Sequence, residues 1–337
     1  TLMLLFHGPI SDGIGRIKTM QWGLLLFFFA SIGCALSTTI ESLWFFRALQ
    51  GIGGGAGSVV ARAMVRDLYE GAEAQRVMAT VQILFGIAPA IAPMIGGLLL
   101  GFHWQGIFIF LALYAAVSIY MGSKILPETM TKNMLVPITF TGIIERYKSL
   151  LINKEFILLI LSVSANFSAF FIYVLASPVF LIDHLGFTAQ QFGYLFIPTV
   201  SGMLIGSFIS KKTAGVIKPS SVLKFGYYFM FCIALSNLLF CSFMPDNAFF
   251  NIGFIALYNI GMASVMPIIS LAGLDCFPKI RGTAASGQAF TQMLFASATA
   301  GILVPIVWFS TFGLSLGLFF LISFGLFTIT KTNLWNK

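Results

Sequence analysis

One arginine, Arg47, interrupts the otherwise apolar start of the stretch Glu41–Tyr69, and a basic pair, Arg62 and Arg66, with Asp67 beside it, closes the far end. A charge at the centre of a bilayer costs at least ~2.5 kcal/mol, so an ionisable group there is a functional hypothesis by default. Arg47 reads either as a cation that senses protonation of an acidic partner and links it to helix movement, or as a structural arginine paired with backbone carbonyls. A second set of charges, Asp12, Arg16 and Lys18, follows the turn formers Gly8, Pro9, Ser11, Gly13 and Gly15. Between Arg47 and Arg62 lie Gly51, Gly53, Gly54, Gly55 and Gly57. The pairs Gly51/Gly55 and Gly53/Gly57 have the spacing that lets two membrane helices approach backbone to backbone. Gly51 to Ala56 also satisfies a dinucleotide fingerprint, but that motif needs a preceding strand, and here it sits inside a continuous apolar span.

Other chemistries find no support. His7, His103 and His184 lie at span ends with no HExxH or GxSxG around them. Cys34, Cys232, Cys241 and Cys276 show no CxxC spacing and read as small buried hydrophobes. No metal site, cofactor or catalytic constellation is expected, so the chain does not read as an enzyme.

The elements that must position these charges are membrane helices. The chain is 58% hydrophobic and 9% charged, with a mean hydropathy of +0.95. Soluble domains carry about 25% charged residues. The fold class is all-α integral membrane, with the lipid bilayer as its main partner. A span takes about 20 residues, and full spans read at 21–39, 42–65, 77–101, 104–123, 155–180, 190–210, 222–244, 248–272, 284–308 and 310–330. Leu2 to His7 reads as the remnant of an earlier span, so the first span and most of the second are expected to precede this sequence.

Alternating these spans puts every one of the 19 lysines and arginines except Arg47 on one side. The opposite side receives Glu41, Asp183, His184 and Asp246. The positive-inside rule makes the first side cytoplasmic, together with the linker and the C-terminus. The net charge of +8 is therefore topology, not a nucleic-acid surface. The longest loop, 126–153, lies on that side and carries an amphipathic helix with Phe140, Ile143, Ile144, Tyr147, Leu150 and Leu151 on one face and Glu145, Arg146 and Lys148 opposite. It separates residues 1–125, the end of span two to span six, from 154–337, spans seven to twelve. Two six-helix halves joined by a cytoplasmic loop is a known transporter plan.

Several stretches resemble a known family. Gly8 to Arg16 is similar to the loop signature of the major facilitator superfamily, and Arg47-Ala48-Leu49-Gln50-Gly51 resembles its fourth-helix motif. Ala61 to Asp67, Ala92 to Gly97, Ala176-Ser177-Pro178 and Arg281-Gly282-Thr283-Ala284 resemble the bacterial drug-resistance exporters named after bicyclomycin and chloramphenicol. Gly13 departs from the pattern, replacing a basic residue, and so does Ala92, where glycine is commoner. The resemblance implies the major facilitator fold and a proton-coupled exporter of drug-like molecules in the bacterial inner membrane, moving small-molecule substrate and protons by alternating access as a monomer. It implies a cytoplasmic gate at Asp12, Gly15 and Arg16, with Asp12 held by a neighbouring arginine or by a helix that begins near Thr283. The bland alternative is that Asp12 and Arg16 solvate a turn and set topology. It implies coupling at Arg47, fourth-helix motif residues Gln50, Gly51, Arg62, Arg66 and Asp67, and a bent, closely packing fifth helix at Pro89, Pro93, Gly96 and Gly97 that takes part in antiport. A kink made for packing is the other reading of those prolines.

Polar and aromatic residues inside the spans mark a possible cavity wall: Gln82, Asn166, Phe170, Tyr173, Tyr258, Asn259, Gln288 and Gln292. Each also fits as glue between helices. An apolar, aromatic cavity with few charges suits hydrophobic or weakly polar solutes. Without an ATP-binding motif the energy is expected from the proton gradient, about 2.3 kcal/mol per charge per 100 mV. No acid lies mid-membrane, so the proton-binding carboxylate is expected on a span preceding Thr1. An exporter of an endogenous metabolite, such as an amino acid or dipeptide, is the nearest alternative, and a nutrient-importing symporter is a third. A charged substrate would call for a cavity charge besides Arg47, and a channel would need neither two halves nor a gate loop.

Overall fold

The computed structural model describes residues 2–101, 103–188, 191, 193–244 and 247–336, and every regular element among them is a helix. Asp246 and Lys337 lie outside the described residues. In chain order the helices are α1 (Leu4–Ile14), α2 (Arg16–Ala35), α3 (Ile40–Leu68), α4 (Gly71–Leu100), α5 (Gln105–Ile125), α6 (Phe140–Ile152), α7 (Lys154–Leu175), α8 (Gly193–Thr213), α9 (Pro219–Phe243), α10 (Ala248–Asp275), α11 (Arg281–Ala298), α12 (Val304–Val307), α13 (Thr311–Thr330) and α14 (Asn333–Asn336). Among the described residues, eight stretches are long and apolar enough to cross a membrane: α2, α5, α7, α8, α9, α10, the run Arg281–Val307, and α13. The glycine-rich α3 has 29 residues and α4 has 30. Trp22, Trp44, Phe243 and Phe249 stand exposed on the helices, as suits a surface whose solvent is lipid.

Local chemistry sets several boundaries. Thr39 and Ser42 form a reciprocal capping box at the start of α3. Asn153 caps α7 by accepting the Phe156 N–H at 2.9 Å, with Glu155 in the first turn. Pro219 opens α9, where its missing N–H leaves no hydrogen bond unmade. The span expected at 155–180 ends as α-helix at Leu175 and continues as a π-helical turn, Val179–His184. Thr299–Leu303 forms a second π-helical turn beyond α11.

The chain divides into two compact units. The first comprises residues 1–69, 91–152 and 274–290; the second comprises 70–90, 153–273 and 291–337. This cut differs from a division at the linker. Residues 70–90 group with the later helices, and the end of α10 with the start of α11 groups with the earlier ones.

In the first unit α2 and α3 meet through glycine. A Cβ at Gly53 would overlap the carbonyl oxygen of Gly23 and crowd the Phe27 backbone N–H, so only two bare backbones fit there. Gly55, two residues on and so on another face, packs on Leu4 and His7 of α1. A Cβ on Gly51 or Gly57 would meet no atom within 4 Å among the described residues. The contacts are thus made by Gly53 and Gly55, not by the pairs that the spacing suggests. In the second unit a close-packing pair is Gly202 and Gly206 of α8, set against the carbonyl oxygens of Ala256 and Ile260 on α10.

That second unit also holds a buried polar network. Asn166 Nδ2 donates to the Tyr227 hydroxyl at 2.7 Å. Ser162 bonds both Tyr227 and the Gly325 carbonyl. The Tyr258 hydroxyl reaches the Asn166 carbonyl at 3.4 Å. About two turns further along α7, Asn237 Nδ2 donates to the Tyr173 hydroxyl at 3.0 Å. These bonds tie α7 to α9, α10 and α13 where no water competes.

Candidate functional site

The densest charge cluster lies in the first unit, where α1, α2, α3 and α11 come together. Asp12, on the last turn of α1, is fully buried. Its carboxylate accepts the backbone N–H groups of Gly282 at 3.0 Å and Thr283 at 2.7 Å, and the Thr283 hydroxyl at 2.6 Å. Because α11 begins at Arg281, those N–H groups are first-turn donors with no partner inside the helix, at its positive end. The helix start expected near Thr283 therefore meets Asp12.

Arg16, on the first turn of α2, is 1% exposed. It donates from Nη1 to Asp12 at 2.7 Å and to Ser11 Oγ at 2.6 Å, and from Nε to Asp67 at 3.0 Å. Asp67, at the end of α3, also receives Arg281 Nη1 at 3.1 Å and the Thr129 hydroxyl at 3.1 Å. Two carboxylates thus face two guanidinium groups and the formal charges cancel, which is what burial of the cluster requires. Arg66 forms a separate, more exposed pair with Asp275.

Glycine makes the approach possible. A Cβ on Gly8 would occupy the space of the Gly282 carbonyl, while the Gly8 N–H donates to Ser286 Oγ at 2.7 Å. A Cβ on Gly282 would meet Arg16, Ser11 and Asp12 together. Gly15 adopts φ 106°, a conformation that L side chains rarely take, and so turns the chain between α1 and α2.

Arg47 stands apart from this cluster. It is exposed on α3, donates from Nη1 to Gln50 Oε1 at 2.9 Å and lies 5.9 Å from the centre of the Phe108 ring. Gln50 in turn donates to Ser31 Oγ on α2 at 2.7 Å. Among the described residues no carboxylate lies within ion-pair distance of Arg47. Arg62 is part-buried and makes no ion pair among the described residues.

On α4 the helix runs through the positions of Pro89 and Pro93, whose side chains lie outside the described residues. A Cβ on Gly96 or Gly97 would meet no atom within 4 Å among the described residues. Of the cavity candidates, Asn166, Tyr173 and Tyr258 are buried within helix packing and bonded as given above. Gln82 and Phe170 are part-exposed, and Gln288 and Gln292 are buried. Asn259 is 0% exposed, and neither atom of its amide has a hydrogen-bond partner among the described residues.

Sequence reasoning missed the linker's contribution. It placed Arg146 on the watery face of α6, but Arg146 is buried and donates to the Pro137 carbonyl. Phe140, Ile144 and Leu151 are exposed instead. The Tyr147 hydroxyl donates to the Leu5 carbonyl of α1, and burial pushes its phenol up from the usual value. Glu128 and Thr129 touch the charge cluster directly. Cys232, expected to be buried, is exposed on α9, while Cys34 and Cys241 are buried.

Comparison with known proteins fits this architecture. The family model described as Major Facilitator Superfamily matches residues 1–300. A bicyclomycin resistance protein homolog of Haemophilus influenzae is 28% identical over 287 residues, covering 84% of this chain and 71% of that protein. Multidrug resistance protein D of Escherichia coli is 27% identical over 289 residues, covering 83% of this chain and 70% of that protein. Among solved structures, the human organic anion transporter MFSD10 superposes with a TM-score of 0.77 at 18% identity, over 97% of this chain and 79% of that one; at that identity the likeness speaks for the fold alone. With a model match over most of its length, an all-helical fold and helices fit to cross a bilayer, the chain belongs to the major facilitator superfamily of membrane transporters.

Proposed function

We propose that the complete protein is a proton-driven exporter of drug-like small molecules in the bacterial inner membrane. It works by alternating access, with the linker 126–153 and the C-terminus in the cytoplasm. The observation that carries this reading is the cluster of Asp12, Arg16, Asp67 and Arg281. A buried charge network is a poor stabiliser compared with apolar packing of the same volume. It is well suited to a contact that must break and re-form, because each group can find a new partner when helices move. Asp12 at the start of α11 is then the cytoplasmic gate.

The direction of transport and the substrate class draw support from relatives named for bicyclomycin resistance and multidrug resistance. Phe170 and Gln82 supply aromatic and weakly polar surface, which favours apolar solutes over sugars or inorganic ions. Arg47 is the coupling residue. Its partners are a neutral amide and a ring face, which leaves its charge available to an acid that gains and loses a proton.

The test uses the complete protein in proteoliposomes with a pH-sensitive dye inside and an imposed proton gradient. Chloramphenicol-like, bicyclic and cationic drugs, and amino acids, are added in turn. Drug-triggered proton flux that Arg47→Ala abolishes is the expected result. Flux triggered only by amino acids or peptides means a metabolite exporter. Solute movement without proton flux overturns the coupling.

A further inference from the structure

The start of α2 has no cap of its own: its N-cap residue is Gly15, which has no side chain to offer. The cap arrives from 112 residues away in sequence. Glu128, just past the end of α5, accepts the Arg16 N–H at 2.9 Å on one carboxylate oxygen and the Ile17 N–H at 3.0 Å on the other. Its own loop adds the Met130 N–H at 3.1 Å. A negative group on first-turn N–H donors at the positive end of a helix is favourable both as hydrogen bonding and as charge. Gly15 leaves the room for it, since a Cβ there would lie 2.6 Å from a Glu128 carboxylate oxygen.

The neighbouring linker residues follow the same surface. Thr129 donates to Asp67. The Val136 N–H donates to the carbonyl of Asp12 itself at 2.9 Å. Ile138 fills the space that a side chain at position 13 would take, which gives Gly13 a structural reason in this chain. Linker residues therefore touch Asp67, the backbone of Asp12 and the backbone that presents Arg16.

We propose that Glu128 is a positioning residue of the gate: by capping α2 it sets Arg16 in reach of Asp12 and Asp67, and the linker segment 128–138 must loosen whenever the cluster opens. The proposal rests on reading the cluster as a gate. Since Glu128 is itself exposed, its removal should raise the open population by roughly two- to ten-fold, in the lower part of what loss of a helix cap produces.

The experiment measures the distance between spin labels on Lys124→Cys and Lys279→Cys in the complete protein, in a background with every native cysteine, Cys34, Cys232, Cys241 and Cys276 among them, replaced by alanine. Asp12→Asn, Glu128→Ala and Glu128→Gln are compared with the parent. The expected result is a longer-distance population that grows most in Asp12→Asn, clearly in Glu128→Ala and less in Glu128→Gln, which keeps one acceptor oxygen. A shift in Asp12→Asn with both Glu128 variants at the parent value overturns the role of Glu128 and leaves the gate standing. No shift in any variant overturns the gate and the role of Glu128 with it. Should Glu128→Ala fail to fold, Glu128→Gln alone decides by the same criterion.

Discussion

Gly282 and Asp12 compete for one volume. The Gly282 N–H donates to Asp12 Oδ1 at 3.0 Å, and a Cβ on Gly282 would lie 2.6 Å from that oxygen and 2.5 Å from Ser11 Oγ, with Arg16 closer still. The carboxylate sits where a side chain would have to go, so the hydrogen bond exists only because residue 282 has none.

Gly282→Ala should therefore disable the cluster while leaving its charges in place. Overpacking of this kind costs typically about 1–3 kcal/mol, enough to change a conformational equilibrium roughly ten-fold. Substrate flux in proteoliposomes should fall by about that factor, with membrane insertion and yield unchanged. Flux equal to the parent would show that α11 can withdraw from Asp12 at no functional cost.

The two outlying acids should differ sharply. The Asp67 side chain is 4% exposed and answers two arginines, whereas Asp275, paired with Arg66, is 45% exposed. Breaking a buried pair by removing one partner costs about 3–5 kcal/mol, while an exposed pair is worth about 0–1 kcal/mol. Thermal melting in detergent should drop strongly for Asp67→Asn and barely for Asp275→Asn. Equal drops would mean that the exposed pair is better ordered than its surface suggests.

The parts that were legible in the sequence are those with local causes. Apolar runs marked the long helices, and the family resemblance pointed to a helix starting near Thr283 as a partner for Asp12. Glu128 left no such trace, because its partners lie 112 residues away and an acid after a helix-ending proline is unremarkable in a loop. Glycine spacing shows which positions could pack, but not which face meets a neighbour. Hence Gly51 and Gly57 looked as good as Gly53 and Gly55, while Gly202 and Gly206 went unnoticed. Asn166 and Tyr173 illustrate a different limit. A polar group in an apolar span fits a cavity or a helix contact equally well until its hydrogen-bond partner is known.

Tyr147 offers a pH test of linker docking. Its side chain is part-buried, and desolvation of the phenol raises its pKa. The neutral form is therefore favoured in the folded protein, and the stabilisation is complete below the unfolded value of about 10. It declines as pH rises beyond that towards the folded value. Tyr147→Phe loses one hydrogen bond, about 0.5–1.5 kcal/mol at neutral pH, and has nothing left to titrate. The melting difference between parent and Tyr147→Phe should be constant from pH 7 to about 9.5 and shrink above pH 10. A difference that grows with alkalinity would reverse the sign of the argument.

Asn259 separates function from stability most cleanly. Its amide is 0% exposed with both polar atoms unpartnered among the described residues, and such groups cost about 1–3 kcal/mol each when left unsatisfied. Replacing it with leucine, which has the same branching and number of side-chain heavy atoms and is fully apolar, should raise the melting temperature if nothing is lost but an unpaired amide. If the amide serves the transported solute or a second arrangement of α10, the same variant should transport less than the parent. Higher melting with reduced flux is the expected pair of results. Lower melting would mean that the amide has a structural partner, and higher melting with full flux would mean that it has no part in transport.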